Sequence, residues 1–176
     1  MREWIPVSTS PKGRLVLAAV KEFGARPFDE VTVQDLAAAA KVTTGTIYHH
    51  FGNKLGLYAF VRQDVERRLL DRMEGAMAAA GATSDHSAAV TAAMLIGLDF
   101  AVGANFLRIL ADPPPEAGDD RLAELLSHGT APPAPLLGRV LAAAWRAALT
   151  AIAEGAQPEQ ARAALATIRV NGPGSA

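Results

Sequence analysis

The spacing of apolar residues predicts helices along almost the whole chain. Over residues 11–24 the apolar side chains recur at intervals of three and four, which places them on one face of a helix. Ser10 followed by Pro11 marks the start, because serine can cap free amides and proline loses no hydrogen bond at the first helical position. The residues on this apolar face are Leu15, Val16, Ala19, Val20 and Phe23.

Two short helices and a long one follow. Thr32, with Asp35 three positions later, is a variant of the capping box and begins a second helix over residues 33–40. Lys41 starts a tight turn, and Thr43 is the N-cap of a third helix of about two turns. A fourth helix begins after Asn53 and keeps helical spacing of its apolar positions to about residue 80.

The C-terminal segments are more apolar. Residues 87–107 carry a single charge, Asp99, and residues 135–154 are apolar on several faces, so we predict two buried helices there. An aspartate at the centre of a membrane span would cost about 2.5–3.5 kcal/mol, which favours a soluble bundle over a membrane protein. Shorter helices are predicted over residues 121–126 and 158–169, with Pro-rich connections at 111–120 and 127–135. Because no segment shows the alternation of a strand, the sequence predicts an all-α fold.

Composition narrows the classes of function. The 176 residues contain no cysteine, which excludes disulfides and thiolate chemistry, and the first residues lack the pattern of a secretory signal, so we expect a cytoplasmic protein. The net charge is −1, but it is unevenly distributed. Residues 1–62 carry eight Lys or Arg against five acids, whereas residues 75–176 carry six against nine. A basic N-terminal third suits contact with a polyanion.

The segment KVTTGTIYHHFGNK, residues 41–54, contains two adjacent histidines. Neighbouring helix positions lie about 100° apart, whereas paired metal ligands on one helix are spaced i, i+4, so His49 and His50 cannot readily share a metal. No nucleophile sits in a strand-turn-helix elbow, and no glycine-rich loop for phosphate precedes a helix. We therefore predict no catalytic residues, no metal site and no cofactor.

The same segment fits a helix-turn-helix. Two short helices joined by a tight turn let the second helix lie in the major groove of DNA. Its threonines offer hydroxyls and methyls to phosphates and base edges, Gly45 allows close approach of the backbone, and Tyr48 adds a hydroxyl at ring length. The residues expected at the DNA are Thr43, Thr44, Gly45, Thr46, Tyr48, His49 and Lys54.

The stretch DLAAAAKVTTGTIYHHFGNKLGLY, residues 35–58, resembles the DNA-binding segment of the tetracycline-repressor (TetR) family. Upstream, LVLAAVKEF resembles the first helix of that family, so the resemblance covers about residues 10–60. Two positions depart from the pattern: Lys41 stands where the family usually has glycine, and Thr44 where it often has Lys or Arg. The positions that match in register are Asp35, Leu36, Ala37, Ala40, Val42, Gly45, Thr46, Ile47, Tyr48, His50, Phe51, Lys54 and Leu57.

The resemblance implies an all-helical homodimer that binds double-stranded DNA. Residues 1–54 would form the DNA-binding domain, and residues 55–176 a helical domain for ligand binding and for dimerisation through the C-terminal helices. The resemblance adds Thr32, Gln34 and His50 to the expected DNA contacts. Thr46 through its hydroxyl, and Lys54 through its charge beside the free amides of a helix start, are expected to contact phosphates. A small hydrophobic ligand is implied, and the residues that could line its pocket are Met94, Asp99, Phe100, Asn105, Phe106 and Trp145. Ordinary core packing is the alternative for these six.

The sequence thus predicts a non-enzymatic DNA-binding transcriptional regulator. The specific expectation is a repressor that a small molecule releases from a palindromic operator. Two alternatives stay open: a regulator that needs no ligand or activates transcription, and a helical enzyme or interaction protein that keeps the motif.

Overall fold

The computed structural model describes residues 9–81, 86–113, 120–128 and 134–170. Across these ranges all regular secondary structure is helical and no strand occurs, so the predicted all-α fold is confirmed. The chain divides between Val65 and Glu66 into two compact units. Most of both Pro-rich connections, residues 114–119 and 129–133, lies outside the described ranges.

The N-terminal unit is a three-helix arrangement followed by the start of a fourth helix. The Ser10 hydroxyl accepts a hydrogen bond from the Gly13 amide at 2.9 Å, which confirms the predicted start of the first helix. Leu15, Leu36 and Ile47 have no exposed surface and hold the three helices together. The elements are α1 (Pro11–Ala25), a 3-10 turn (Phe28–Glu30), α2 (Val33–Ala40), α3 (Thr44–Phe51) and the first part of α4 (Lys54–Gly81).

The two ends of α2 are fixed by local bonds. The Thr32 hydroxyl accepts from the Asp35 amide at 3.1 Å, and the Asp35 carboxylate accepts from the Thr32 amide at 3.0 Å, so the predicted capping box is present in both directions. At the other end Lys41 has φ 54° and ψ 49°, the left-handed conformation that usually selects glycine.

The C-terminal unit is built around α8 (Pro135–Ala153). This helix contacts four others of its unit, as expected for a helix that is apolar on several faces. Trp145 has no exposed surface, and its indole Nε1 donates to the Met94 carbonyl at 3.0 Å. Besides the second part of α4, the elements are α5 (His86–Gly103), α6 (Leu107–Ala111), α7 (Arg121–His128), α8 (Pro135–Ala153) and α9 (Pro158–Thr167).

The helix predicted over residues 87–107 is interrupted, so that part of the prediction is wrong. Asn105 adopts the left-handed conformation with φ 57°, and the Phe106 amide donates back to the Ala101 carbonyl at 2.8 Å. This closes α5 with a C-terminal cap, because a left-handed residue lets the next amides satisfy the last carbonyls. The chain therefore turns before α6 begins.

An ion pair between Asp120, which directly precedes α7, and the buried Arg146 joins the start of α7 to α8. Arg146 is only 7% exposed, and its two terminal nitrogens donate to the two carboxylate oxygens of Asp120 at 2.7 and 2.8 Å. Burial by itself would raise the pKa of Asp120, but the hydrogen bonds from Arg146 and from the Ala123 amide outweigh it and lower the pKa. The Arg146 Nε is buried without a hydrogen-bond partner, so the desolvation of this guanidinium is only partly offset.

The outer face of α8 is apolar and exposed. Leu136 is 73% exposed and Val140 56% exposed, although both lie on a stripe that the sequence pattern places beside the core. α5 and α8 are each long and apolar enough to cross a membrane by length and composition. Core helices of water-soluble proteins pass the same test, so this is weak evidence for a membrane span.

Candidate nucleic-acid interface

α3 has one anchored face and one open face. Ile47 is fully buried, and the Phe51 ring lies in edge contact with Phe60 at 5.3 Å between centroids. On the open face Tyr48 is 56% exposed, and His49 and His50 are exposed as well. A large aromatic side chain that the fold leaves in solvent is available for a partner.

The two histidines touch each other although adjacent helix positions diverge. Their ring centroids lie 4.8 Å apart in edge contact, and the ring of His50 also lies 6.2 Å from that of Phe51. Within the described residues no group of three His, Cys, Asp or Glu side chains is arranged to hold a metal ion.

The N-terminus of α3 combines small and hydroxylated residues. Thr43 is the N-cap residue, as predicted, but its side chain makes no hydrogen bond to the helix amides; its Oγ1 lies 3.3 Å from the Oγ1 of Thr46. Thr44 and Thr46 are half-exposed, and Gly45 is exposed. A Cβ built on Gly45 would meet only the Thr43 Oγ1, at an ordinary 3.6 Å. Internal packing therefore does not require glycine at this position.

The turn before α3 carries an exposed lysine in a strained conformation. A non-glycine residue in the left-handed region costs about 1 kcal/mol. Lys41 has this conformation, and its amide donates hydrogen bonds to the Ala37 and Ala38 carbonyls, which end α2. The lysine that replaces the usual glycine therefore has a strained backbone, and it adds a positive charge at the turn.

The start of α2 presents Thr32 and Gln34, both exposed. The backbone and side-chain hydrogen bonds with Thr32, together with the bond from Arg26 at 3.2 Å, lower the pKa of Asp35. Arg26 also donates to Glu22 at 2.7 Å, and these two hydrogen bonds raise the pKa of Arg26. This network links α1 to the start of α2. Sequence reasoning missed it, because Arg26 and Asp35 are nine residues apart across a turn, which matches no helical spacing.

Lys54 is half-buried, and its ammonium is used within the unit. The Nζ donates to the Phe28 and Val31 carbonyls, each at 2.9 Å, and lies 4.1 Å from the centroid of the Phe28 ring. Since a lysine has three N–H groups, two are taken by these carbonyls. The predicted phosphate contact of Lys54 would compete with these bonds.

Residues 15–60 match the family model of bacterial regulatory proteins of the tetR family. The chain thus carries the DNA-binding domain of the TetR family over these residues. It is accordingly a DNA-binding transcriptional regulator. No curated protein matches the chain by sequence.

Three solved structures resemble this chain in fold. A TetR-like transcriptional regulator from Rhodococcus sp. RHA1 is 23% identical with a TM-score of 0.66, and the match covers 91% of this chain and 93% of the other. A TetR-family transcriptional regulator from Pectobacterium atrosepticum is 22% identical with a TM-score of 0.64, covering 88% of each chain. A putative tetR family transcription regulator from Shewanella sp. PV-4 is 22% identical with a TM-score of 0.65, covering 89% of this chain and 94% of the other. At these identities the likeness supports the fold.

The predicted ligand residues have different surroundings in the C-terminal unit. Met94 and Trp145 are fully buried, and the Trp145 indole donates a hydrogen bond to the Met94 backbone carbonyl. Phe106 is 7% exposed. Asn105 is exposed at the turn after α5, where its conformation serves the helix end. For these four, packing and backbone geometry account for the positions.

The other two predicted ligand residues have partners on neighbouring helices. The exposed carboxylate of Asp99 forms an ion pair with Arg162 of α9. The half-buried Phe100 ring lies 4.2 Å from the Arg72 guanidinium and 5.3 Å from the Phe106 ring. Asp99 and Arg162 both line a groove of about 260 Å³.

Two further grooves occur in the C-terminal unit. One of about 600 Å³ lies between α5 and α9 and includes the Thr91 and Arg169 side chains. Another of about 280 Å³ lies between α7 and α8 and includes His128 and Arg139. The predicted ligand residues line neither of these two.

Proposed function

We propose that this TetR-family chain is a dimeric repressor that binds a palindromic operator and leaves it when a small molecule binds. Under this proposal residues 1–54 bind DNA, and residues 55–176 bind the ligand and form the dimer in the cytoplasm. The observation that carries the DNA part is the open face of α3, where Tyr48 is more than half exposed beside small and hydroxylated residues.

The proposed contacts divide by chemistry. Thr43 and Thr46 serve phosphates, because hydroxyls and first-turn amides at a helix N-terminus favour anions. Thr44, Gly45 and Tyr48 face base edges. The remaining proposed contacts flank this surface or lie at the start of α2, and they are His49, His50, Thr32 and Gln34.

A binding experiment tests this surface. The full-length protein should bind the DNA that flanks its own gene specifically, with an affinity that falls as salt rises. The double substitution Tyr48→Ala and Thr46→Ala should abolish specific binding, whereas Gln63→Ala, exposed on α4, should leave it unchanged. Unchanged binding by the double variant would remove α3 from the interface.

A second copy of the chain is the proposed occupant of the outer face of α8. Leu136 and Val140 are exposed, and Ala143 and Ala147 continue the stripe at helical spacing. Exposed apolar stripes of this kind mark association surfaces, and a palindromic site requires two reading helices related by a two-fold axis. Sedimentation equilibrium should show a dimer for the wild type and a monomer for Val140→Glu. Ala163 is exposed on α9, and the oligomeric state of Ala163→Glu tests whether that helix is also part of the dimer interface.

The ligand part of the proposal rests on the family resemblance, since most of the predicted lining residues are packed or paired within the C-terminal unit. A thermal-shift screen against hydrophobic metabolites tests it, because a ligand at 100 times its dissociation constant stabilises by about 2.7 kcal/mol. A hit that also lowers operator affinity supports the repressor. A chain that binds DNA and responds to no ligand fits the alternative of a ligand-independent regulator, and raised transcription from the target promoter fits an activator.

A further inference from the structure

The ammonium of Lys54 is held at a defined place inside the N-terminal unit. It bonds to the Phe28 and Val31 carbonyls at 2.9 Å and lies 4.1 Å from the Phe28 ring centroid. That ring belongs to a cluster with Phe23 at 5.8 Å and Tyr58 at 5.0 Å. Carbonyl oxygens and the face of an aromatic ring both attract a cation, so the Lys54 ammonium is bound at a specific position within the unit.

The bond to Val31 fixes one end of a peptide group whose other end is also fixed. The carbonyl of the Val31–Thr32 peptide accepts from Lys54, while its N–H donates to the Asp35 carboxylate at 3.0 Å. Asp35 in turn accepts from Arg26. The chain from ammonium to peptide to carboxylate to guanidinium is continuous, and each bond polarises the next. The plane of this peptide is therefore determined from both sides.

This peptide leads directly into the start of α2. Thr32 is its N-cap, and Gln34, two residues on, is an exposed proposed DNA contact. Val31 has no exposed surface, so the entry to α2 is anchored on the buried side by packing and on the polar side by Lys54.

We propose that Lys54 is a positioning residue, which orients the start of α2 for DNA through the Val31 carbonyl and does not itself contact phosphate. A phosphate could recruit the ammonium only in competition with two carbonyls and a ring. This inference rests on the proposed DNA binding, and it replaces the phosphate role that the sequence predicts for Lys54.

Salt dependence separates positioning from a phosphate contact. The probe is a duplex selected from a randomised pool by the full-length wild-type protein. Lys54→Met should weaken binding about tenfold, comparable to the loss of one base contact. Lys21→Met, an exposed lysine of α1, is the matched control for the loss of one positive charge. The slope of log affinity against log salt should be equal in the two variants. A slope lower by about one in Lys54→Met alone marks a lost phosphate contact and overturns the proposal.

A double-substitution cycle tests the route through α2. Gln34→Ala should reduce affinity by a larger factor in the wild type than in the Lys54→Met background, because the Gln34 side chain is already misplaced there. Equal factors in both backgrounds, including no effect in either, overturn the proposal. Circular dichroism checks that both variants are folded, and Lys54→Gln replaces Lys54→Met if the latter does not fold. A wild type that selects no duplex contradicts the proposed function itself.

Discussion

Gly45→Ala should raise stability and lower DNA affinity at the same time. Gly45 is the second residue of α3, its φ lies outside the left-handed region, and an added Cβ would meet only the Thr43 Oγ1 at 3.6 Å. Nothing in the fold opposes a methyl group there. Because alanine loses less backbone entropy than glycine in a helix, we expect a gain of up to about 0.5–1 kcal/mol. For a chain of this size that raises the melting temperature by roughly 1–4 °C.

The opposite effect is expected on the operator. If the backbone at Gly45 approaches DNA closely, the methyl group overpacks the interface, which costs about 1–3 kcal/mol. This corresponds to a loss of roughly 5- to 150-fold in affinity. Gly75→Ala is the matched control, because Gly75 is an exposed helical glycine of α4 whose added Cβ would meet nothing within 4 Å. It should stabilise by a similar amount and leave DNA binding unchanged.

The two measurements are differential scanning calorimetry of the free protein and fluorescence anisotropy with labelled operator. A lower melting temperature for Gly45→Ala would mean that the geometry at the start of α3 is wrong. Unchanged affinity together with a higher melting temperature would place Gly45 away from DNA, and the role of the threonines beside it would have to be reconsidered.

Four further predictions concern the backbone and the ion pair of Asp120 with Arg146. Asp120→Ala should cost about 3–5 kcal/mol in chemical denaturation, because Arg146 stays buried without its carboxylate, whereas replacing both residues by apolar ones should recover most of the loss. The pKa of Asp120 is lower in the folded than in the unfolded protein. The stability that the carboxylate contributes is therefore complete above about pH 4 and is lost as pH falls through the folded pKa. In Asp120→Asn the free energy of unfolding should consequently depend less on pH at the acid end. Gly138→Ala should destabilise by about 3 kcal/mol or more, because its Cβ would lie 2.2 Å from the Ala123 carbonyl oxygen. Lys41→Gly should stabilise by about 1 kcal/mol by relieving the left-handed strain, measured by urea denaturation.

Each of these has a contradicting result. An Asp120→Ala variant that loses less than about 1 kcal/mol would show that the buried pair contributes little to folding. A stable Gly138→Ala variant would mean that α7 and α8 do not approach as closely as the structure has them. Lys41→Gly without a gain in stability would show that the strain at the turn is offset by a contact of the lysine side chain.

Local chemistry made much of the N-terminal unit predictable. Ser10 before Pro11, and Thr32 three residues before Asp35, specify helix starts through bonds within one turn, and the structure contains both sets of bonds. The spacing of the apolar residues likewise located the buried face of α1. Lys41 could be identified as a departure from glycine only through the family resemblance, and the structure shows it in the left-handed conformation with φ 54°.

Features that depend on residues far apart in sequence were not predictable in the same way. Thr43 has the identity and the place of a capping residue, yet its hydroxyl faces Thr46. The end of α5 was missed although Asn105 tolerates the left-handed region, because the apolar residues around it continue the helical pattern. The composition of the exposed stripe of α8 likewise predicts buried residues. Apolar periodicity does not show which face of a helix packs against another part of the chain.

The sequence by itself determined an all-helical chain, a helix-turn-helix at residues 33–51 and the chemistry of the side chains on α3, because these depend on periodicity and on contacts within one or two turns. Only the tertiary structure decided that Lys54 bonds to carbonyls 23 and 26 residues away, and that Asp120 meets Arg146 across two helices. Such bonds form when packed helices bring distant groups together, so the spacing of residues along the chain does not predict them. Whether a lysine is free for DNA or held by its own fold is therefore a property of the tertiary structure.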